Sequence, residues 1–416
     1  MKNLSYLILA FAITACSPNK PEEAVTVAEG NWIFTFHPSI ENYIPINAQV
    51  KKVNDSYEVT FINSTEKITS KSINVLIEKN SIKINDPFFN TWFKGKITSP
   101  NRIEGAWFKE DKEYKIPFTA IKSERERFVR PNSTITTDLN ITGKWEVDFS
   151  KNDPENHYKA IGLFEQNGEQ LTGTFLTETG DYRYLEGNMY GDDFYLSSYD
   201  GSHLFLFKAT LKNDTLKGWF WSGKHWEEPW VAYQNETFEL THPDSLTYLK
   251  EGYDKLNFTF PNLHGEQVSL SDEKYKNKVV IVNIMGPWCP NCKDETAYLS
   301  ELYNKNNDKG LEIIALSFNR TDNFESSKNN ILKLKNYFNA NYDFLIAGKA
   351  NKIESSKALP MLNHVMSYPT SIFIDRKGVI RKIRTGFYGP STGNYYWRYV
   401  EQTNDFISKL LVEEGN

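Results

Sequence analysis

Cysteine is scarce in this chain: three residues among 416, at Cys16, Cys289 and Cys292. A large extracellular protein stapled by structural disulfides carries more cysteines, scattered along its length, so such a framework is not expected here. A basic excess is missing too. Forty-eight Lys and Arg face 53 Asp and Glu, a net charge of −5, which leaves no surplus to neutralise phosphates and argues against a nucleic-acid partner. Beyond residue 16 no apolar run is long enough to span a bilayer. The one C-x-x-C has no second cysteine pair and no histidines at ligand spacing, which excludes a zinc site, and Lys293 stands where a c-type haem site needs histidine. No metal or other cofactor is expected beyond the two thiols themselves. Helical periodicity is absent between residues 30 and 240.

What remains is globular. Charged residues make up 24% and hydrophobic ones 39%, and the length calls for two or three domains, each with its own core. Aromatics reach 14%, mostly in strand-like segments, where sheet packing accounts for them better than a ligand cage.

The first residues read as an address. Lys2 supplies a positive start, Leu4 to Ala12 is a short apolar run, and Ile13-Thr14-Ala15-Cys16 places small residues just before a cysteine. This resembles a bacterial lipoprotein signal peptide and its lipobox. The resemblance implies cleavage before Cys16 and acylation there, and several acyl chains at about 0.8 kcal/mol per buried methylene anchor firmly. The alternative is an ordinary secretory signal with Cys16 incidental. Ser17 to Val27, polar and proline-containing, reads as a tether.

Residues 30 to 240 alternate with period two. Tyr57, Val59 and Phe61 share a face, as do Ile82 and Ile84, and Trp145, Val147 and Phe149. Turn signals recur at Asn54-Asp55, Asn85-Asp86-Pro87, Asn167-Gly168, Gly191-Asp192, Asp200-Gly201 and Asn213-Asp214. Two short matches lie 113 residues apart: Gly30 to Phe36 with Gly143 to Phe149, and Ile103 to Phe108 with Leu216 to Trp221. They point to two tandem β-rich units, each a small barrel or sandwich resembling lipocalin-like modules. The dense stretch Trp219 to Trp230 is a binding surface or, the better expectation, strand packing. His203 and His225 would be metal ligands only with partners that the sequence does not reveal.

After His242-Pro243 a βαβ rhythm appears. Lys278 to Ile284 is a continuous apolar run, as a strand buried on both faces requires. Trp288-Cys289-Pro290-Asn291-Cys292 comes next and opens a helix with Thr296, Leu299 and Tyr303 at helical spacing. Strands are expected at Leu311 to Ser317, Phe344 to Ile346, Thr370 to Ile374 and Val379 to Arg384. Helices are expected at about Ser327 to Phe338 and around Val400, Ile407 and Leu411. Pro290 suits a first helical turn, and Cys289 as N-cap turns its sulfur toward unpaired N–H groups, which favours the thiolate. Cys292, one turn in, is placed to resolve a mixed disulfide formed at Cys289. Glu295, three residues on, shares that helix face. It either tunes or relays the thiol proton, or it is a surface carboxylate paired with a lysine.

These residues resemble the active site of the TlpA/ResA-like thiol-disulfide oxidoreductases, a membrane-tethered branch of the thioredoxin superfamily. Three further matches carry the resemblance. Phe260-Pro261-Asn262-Leu263 with Val268-Ser269-Leu270 is similar to the entry hairpin, Glu295 stands at the acidic position, and Tyr368-Pro369-Thr370 before Asp375-Arg376-Lys377-Gly378 is similar to the cis-proline loop. The resemblance implies a thioredoxin-like α/β fold, Cys289 as nucleophile, Cys292 as resolving thiol, and Pro369 in a substrate loop. Trp288 and Tyr368 are then docking surface, although Trp288 would also serve simple packing. Gly286-Pro287 departs from the usual pair of small residues before the tryptophan, and His364 is expected to be packed or exposed rather than near the sulfurs.

The expected organisation is a signal peptide at 1–16, a tether at 17–29, β-rich units at 30–122 and 141–242 around a linker at 123–140, and a thioredoxin-like domain at 253–414. The expected function is an enzyme of the cell envelope, lipid-anchored and periplasm-facing or associated with an outer membrane. It reduces disulfides in extracytoplasmic proteins and draws electrons from a membrane thiol donor. The alternatives are a lipoprotein whose β units bind a ligand or partner, and a thiol peroxidase. The latter is disfavoured by the lack of a Thr-x-x-Cys element.

Overall fold

A computed structural model describes residues 26–109, 113–130 and 140–414. The expected signal segment with Cys16, and most of the tether, lie outside the described residues. Among the described residues no helix is long and apolar enough to cross a membrane.

Period-two alternation becomes antiparallel sheet, and the chain folds as two β-barrel units followed by an α/β thioredoxin-like domain. The first unit is a nine-stranded sheet that runs from Glu66–Ser70 at one edge to Val75–Glu78 at the other, with Gly30–Phe36 joined to Lys115–Lys122 at its middle. Along Ser56–Asn63 every second side chain is buried, and Tyr57, Val59 and Phe61 enter the core. The second unit closes. Eight strands form a ring sealed by the pairing of Tyr158–Asn167 with Gln170–Thr177, and the two-residue strand Gly180–Asp181 hangs on the latter.

The two units share one plan. Gly30–Phe36 and Gly143–Phe149 each sit between the second and the last long strand of their unit. Both carry a buried tryptophan whose indole N–H donates to the carbonyl four residues upstream, Trp32 to Ala28 at 3.0 Å and Trp145 to Ile141 at 2.9 Å. Tyr190, Tyr199, Leu204 and Leu206 of the second unit pack into the core of the first. The segment expected as a linker takes part in this junction. Phe128 is buried against Tyr195, and Arg127 is buried in an ion pair with Glu186, while 131–139 lie outside the described residues. The Trp219 to Trp230 stretch alternates as paired strands. Phe220 and Trp230 face the core, and Trp219 and Trp226 face solvent.

In the C-terminal domain five strands order as Asp343–Lys349, Leu311–Asn319, Val279–Met285, Thr370–Ile374 and Ile380–Thr385, the first three parallel and the last two antiparallel. The central strand is buried along its whole length. Helices α1 (Pro290–Asn306), α2 (Phe324–Tyr337) and α4 (Asn394–Val412) supply the core on the face of Val279 and Ile281. The face of Val280 and Val282 is covered by Leu256, Phe258 and the Leu359 to Val365 stretch that comes after α3 (Lys352–Ala358). A short hairpin, Thr259–Pro261 with Gln267–Ser269, precedes the central strand.

Candidate active site

The central strand ends at Met285, and the chain turns through Gly286-Pro287-Trp288 into α1. A side chain at Gly286 would lie 2.5 Å from the Trp288 indole nitrogen, so the unusual Gly-Pro pair fits the close approach of that ring. Cys289 is the N-cap of α1, extended at φ −99°, with Pro290 in the first turn where its missing N–H costs nothing. Its sulfur accepts a hydrogen bond from the Cys292 N–H at 3.3 Å. Both thiols are free. Cys289 keeps 7% of its surface and Cys292 none, so only the first sulfur is open to a reactant. Burial, reinforced by the neighbouring Cys289, pushes the Cys292 thiol well above its ordinary range.

The Tyr368–Pro369 peptide is cis, and the Tyr368 carbonyl faces the sulfurs, accepting from Cys289 Sγ at 3.4 Å. The Tyr368 hydroxyl bonds to Ser355 of α3. Trp288 meets Tyr368 edge to face at 5.5 Å, donates its indole N–H to the Phe318 carbonyl at 3.0 Å, and carries Arg320 over its ring at 4.6 Å.

Glu295 is buried beneath these groups, not paired with a surface lysine. Asn283 donates to it at 2.6 Å, Ser371 at 3.0 Å and Tyr399 at 3.3 Å. Burial outweighs these donors and pushes its carboxyl up to about 7. Such a group gains or loses a proton near neutrality, next to a thiol that must lose one.

The β units reach this site through three loops. Arg183 of the second unit is buried. It donates to the Pro290 carbonyl at 3.2 Å and pairs with Asp294 of α1 and with Glu66 of the first unit. Beside it Asp181 accepts from the Gly389 N–H at 2.6 Å and from Ser391 at 3.1 Å, and its carbonyl accepts from Asn291 at 3.2 Å. Ser367 donates to the Thr179 carbonyl at 2.7 Å, and Ser202 to the Trp288 carbonyl at 3.5 Å. From the first unit Phe88 lies under the Lys293 ammonium at 4.6 Å and stacks on Phe338. A cavity of about 300 Å3 remains between the second barrel and the sulfurs, with Cys289 and Tyr368 on one side and Asp181, Asp200 and His203 on the other.

Six of the seven residues singled out in the sequence therefore meet: Trp288, Cys289, Cys292, Glu295, Tyr368 and Pro369. Cys16 lies outside the described residues. His364 is exposed, and His225 bonds to Tyr114 at 3.1 Å. Among the described residues no His, Cys, Asp or Glu cluster could hold a metal ion. Sequence reasoning missed Asn283, Ser371 and Tyr399 around Glu295, and Arg183 and Asp181 at the junction. These lie up to 210 residues from the groups they touch, at positions without a motif.

The C-terminal domain is similar to known proteins. Residues 252–383 match the AhpC/TSA family. The thiol-disulfide oxidoreductase ResA of Bacillus thuringiensis subsp. konkukian is 35% identical over 136 residues, 32% of this chain and 69% of that one. The thioredoxin-like protein YneN of Bacillus subtilis is 28% identical over 156 residues, 38% of this chain and 84% of that one. Among solved structures, the thioredoxin domain of a thiol-disulfide oxidoreductase from Bacteroides vulgatus is 26% identical and covers 37% of this chain and 99% of that one, with a TM-score of 0.27.

Proposed function

The chain belongs, through its C-terminal domain, to the ResA-related thiol-disulfide oxidoreductases, and on that premise we propose that it reduces disulfides in partner proteins outside the cytoplasm, tethered to a membrane through Cys16. Cys289 attacks one sulfur of the substrate disulfide and forms a mixed disulfide, and the other sulfur leaves. Cys292 then attacks Cys289, releases the second substrate thiol and leaves a Cys289–Cys292 disulfide, so two electrons pass to the substrate. The observation that carries this reading is the asymmetry of the pair: Cys289 caps the helix at a cavity, and Cys292 is fully buried one turn below. Glu295, poised near neutrality, handles the proton of the buried thiol. The cis-Pro369 loop and Trp288 border the place where an extended substrate segment docks. Support for the tether and the location comes from the sequence around Cys16 alone, and the donor is a membrane thiol protein that re-reduces the pair.

The test is disulfide reduction by the full chain with a dithiol donor, then equilibration against a glutathione series. Activity that disappears in Cys289→Ser, with a potential more reducing than the glutathione couple, supports the reading. An inert chain refutes it. The AhpC/TSA match favours one second reading, peroxide reduction. Consumption of hydrogen peroxide faster than disulfide turnover would select it.

A further inference from the structure

The wall opposite Cys289 is not passive. The loop Asp200-Gly201-Ser202-His203 joins two strands of the second barrel, Asp193–Tyr199 and Leu204–Lys212. All three folded units pin it. Thr91 of the first unit donates to the Gly201 carbonyl at 2.6 Å, and Ser202 donates to the Trp288 carbonyl beside the cysteines. Within the loop Asp200 Oδ1 accepts from the N–H groups of Ser202 and His203 at 2.7 and 2.6 Å, and Oδ2 accepts from His203 Nδ1 at 2.9 Å. The imidazole stacks on Phe205 at 5.2 Å, and both rings line the cavity that holds Cys289. With Nδ1 committed to the carboxylate, Nε2 is the nitrogen left to exchange a proton.

We propose that the second β unit forms the far wall of the disulfide-binding cleft and that its Asp200–His203 pair protonates the substrate thiolate expelled by Cys289. The proposal rests on Cys289 being the attacking sulfur. As Cys289 bonds to the near sulfur, the substrate S–S bond breaks and its electron pair leaves on the far sulfur. That sulfur takes the proton of His203 Nε2, and the imidazole is reprotonated from water. An alkyl thiolate needs this help, since its thiol has a pKa of about 8.5. An aryl thiolate does not. Asp200 is suited to hold a cation. It is fully buried, which works against its charge, yet His203, Arg183 and the backbone donors hold its carboxyl down to about 2. The other charged or titratable groups around the pair include Asp181, Tyr182, Lys352, Tyr368 and Cys289 lining the cavity, Arg183 and Lys109 acting on Asp200, and His225 nearby. A cleft of about 300 Å3 admits a disulfide on an extended segment, not a folded surface.

The experiment compares two substrates in the full chain: a cystine-bridged peptide and an aryl disulfide. In His203→Gln, and likewise in Asp200→Asn, turnover of the peptide should fall by roughly a hundredfold and that of the aryl disulfide by a far smaller factor. Added imidazole should restore the peptide reaction. Equal loss on both substrates, or none on either, overturns the proposal. So does a wild-type rate that depends on the leaving-thiol pKa as steeply as that of a simple alkyl thiol in solution, a result that needs no variant to fold. Cys289→Ser must be inactive on both. If it is active, it is the assignment of the attacking sulfur that fails.

Discussion

The two β units bring the same loop to the active site and use it differently. Asp86 to Thr91 in the first unit and Asp200 to His203 in the second join corresponding strands. Each begins with an aspartate whose Oδ1 accepts from the N–H groups two and three residues on: Phe88 and Phe89 in one case, Ser202 and His203 in the other. The loops touch, through Thr91 to the Gly201 carbonyl, and both reach the start of α1. The residues after each aspartate decide the chemistry. Aromatic neighbours make the first loop an apolar clamp, and burial pushes Asp86 up to about 6. Serine and histidine make the second a polar wall, and Asp200 is held at about 2. A repeated turn is thus a neutral scaffold, on which two side chains set the charge that faces the thiols.

Breaking the second unit's grip should cost most. Arg183→Met leaves Asp294 and Glu66 without their buried partner, a loss of about 3–5 kcal/mol in urea unfolding, and it should speed alkylation of Cys289 by iodoacetamide. Next is the pH dependence that Glu295 adds beneath both loops. Its folded pKa lies above its ordinary 4.5, so its contribution is complete below pH 4.5 and is lost as pH rises through about 7. The wild type should lose on the order of 3 kcal/mol across that interval, and Glu295→Gln should flatten most of the slope.

The sharpest form of the comparison is a matched pair of variants. Asp200→Asn removes a depressed carboxyl, whose contribution is present above pH 3.8 and lost toward pH 2, and should destabilise the chain by about 2 kcal/mol at pH 7. Asp86 has the opposite sign, with a contribution lost as pH rises from 3.8 through about 6, so Asp86→Asn should be neutral or stabilising at pH 8. Similar losses in both variants would erase the distinction. The smallest effect belongs to Phe88→Ala, about 1 kcal/mol from the ring contacts with Phe338 and Lys293, with peptide turnover unchanged.

The C-terminal domain is legible in the sequence because its signals are local. A strand buried on both faces is apolar nearly throughout, as Val279 to Met285 is at every position but Asn283, and the cysteines follow shortly after it. Tyr57, Val59 and Phe61 mark a half-buried strand in the same way. Helix α3 leaves no signal, since its seven residues bury only Ser355. Asn283 reads as a flaw in an apolar run until Glu295 is seen to face it. Arg183 sits in a turn, and the groups it holds are 107 to 117 residues away. His203 reads as a metal ligand without partners. Its partner is Asp200, three residues back, in the turn marked by Asp200-Gly201.

The mechanism stands or falls on which sulfur meets the substrate. Incubation of Cys292→Ser with a cystine-bridged peptide, read by peptide mapping under non-reducing conditions, should trap a mixed disulfide at Cys289, and Cys289→Ser should trap none. An adduct on Cys292 in the Cys289→Ser chain, or no adduct in either variant, would contradict it.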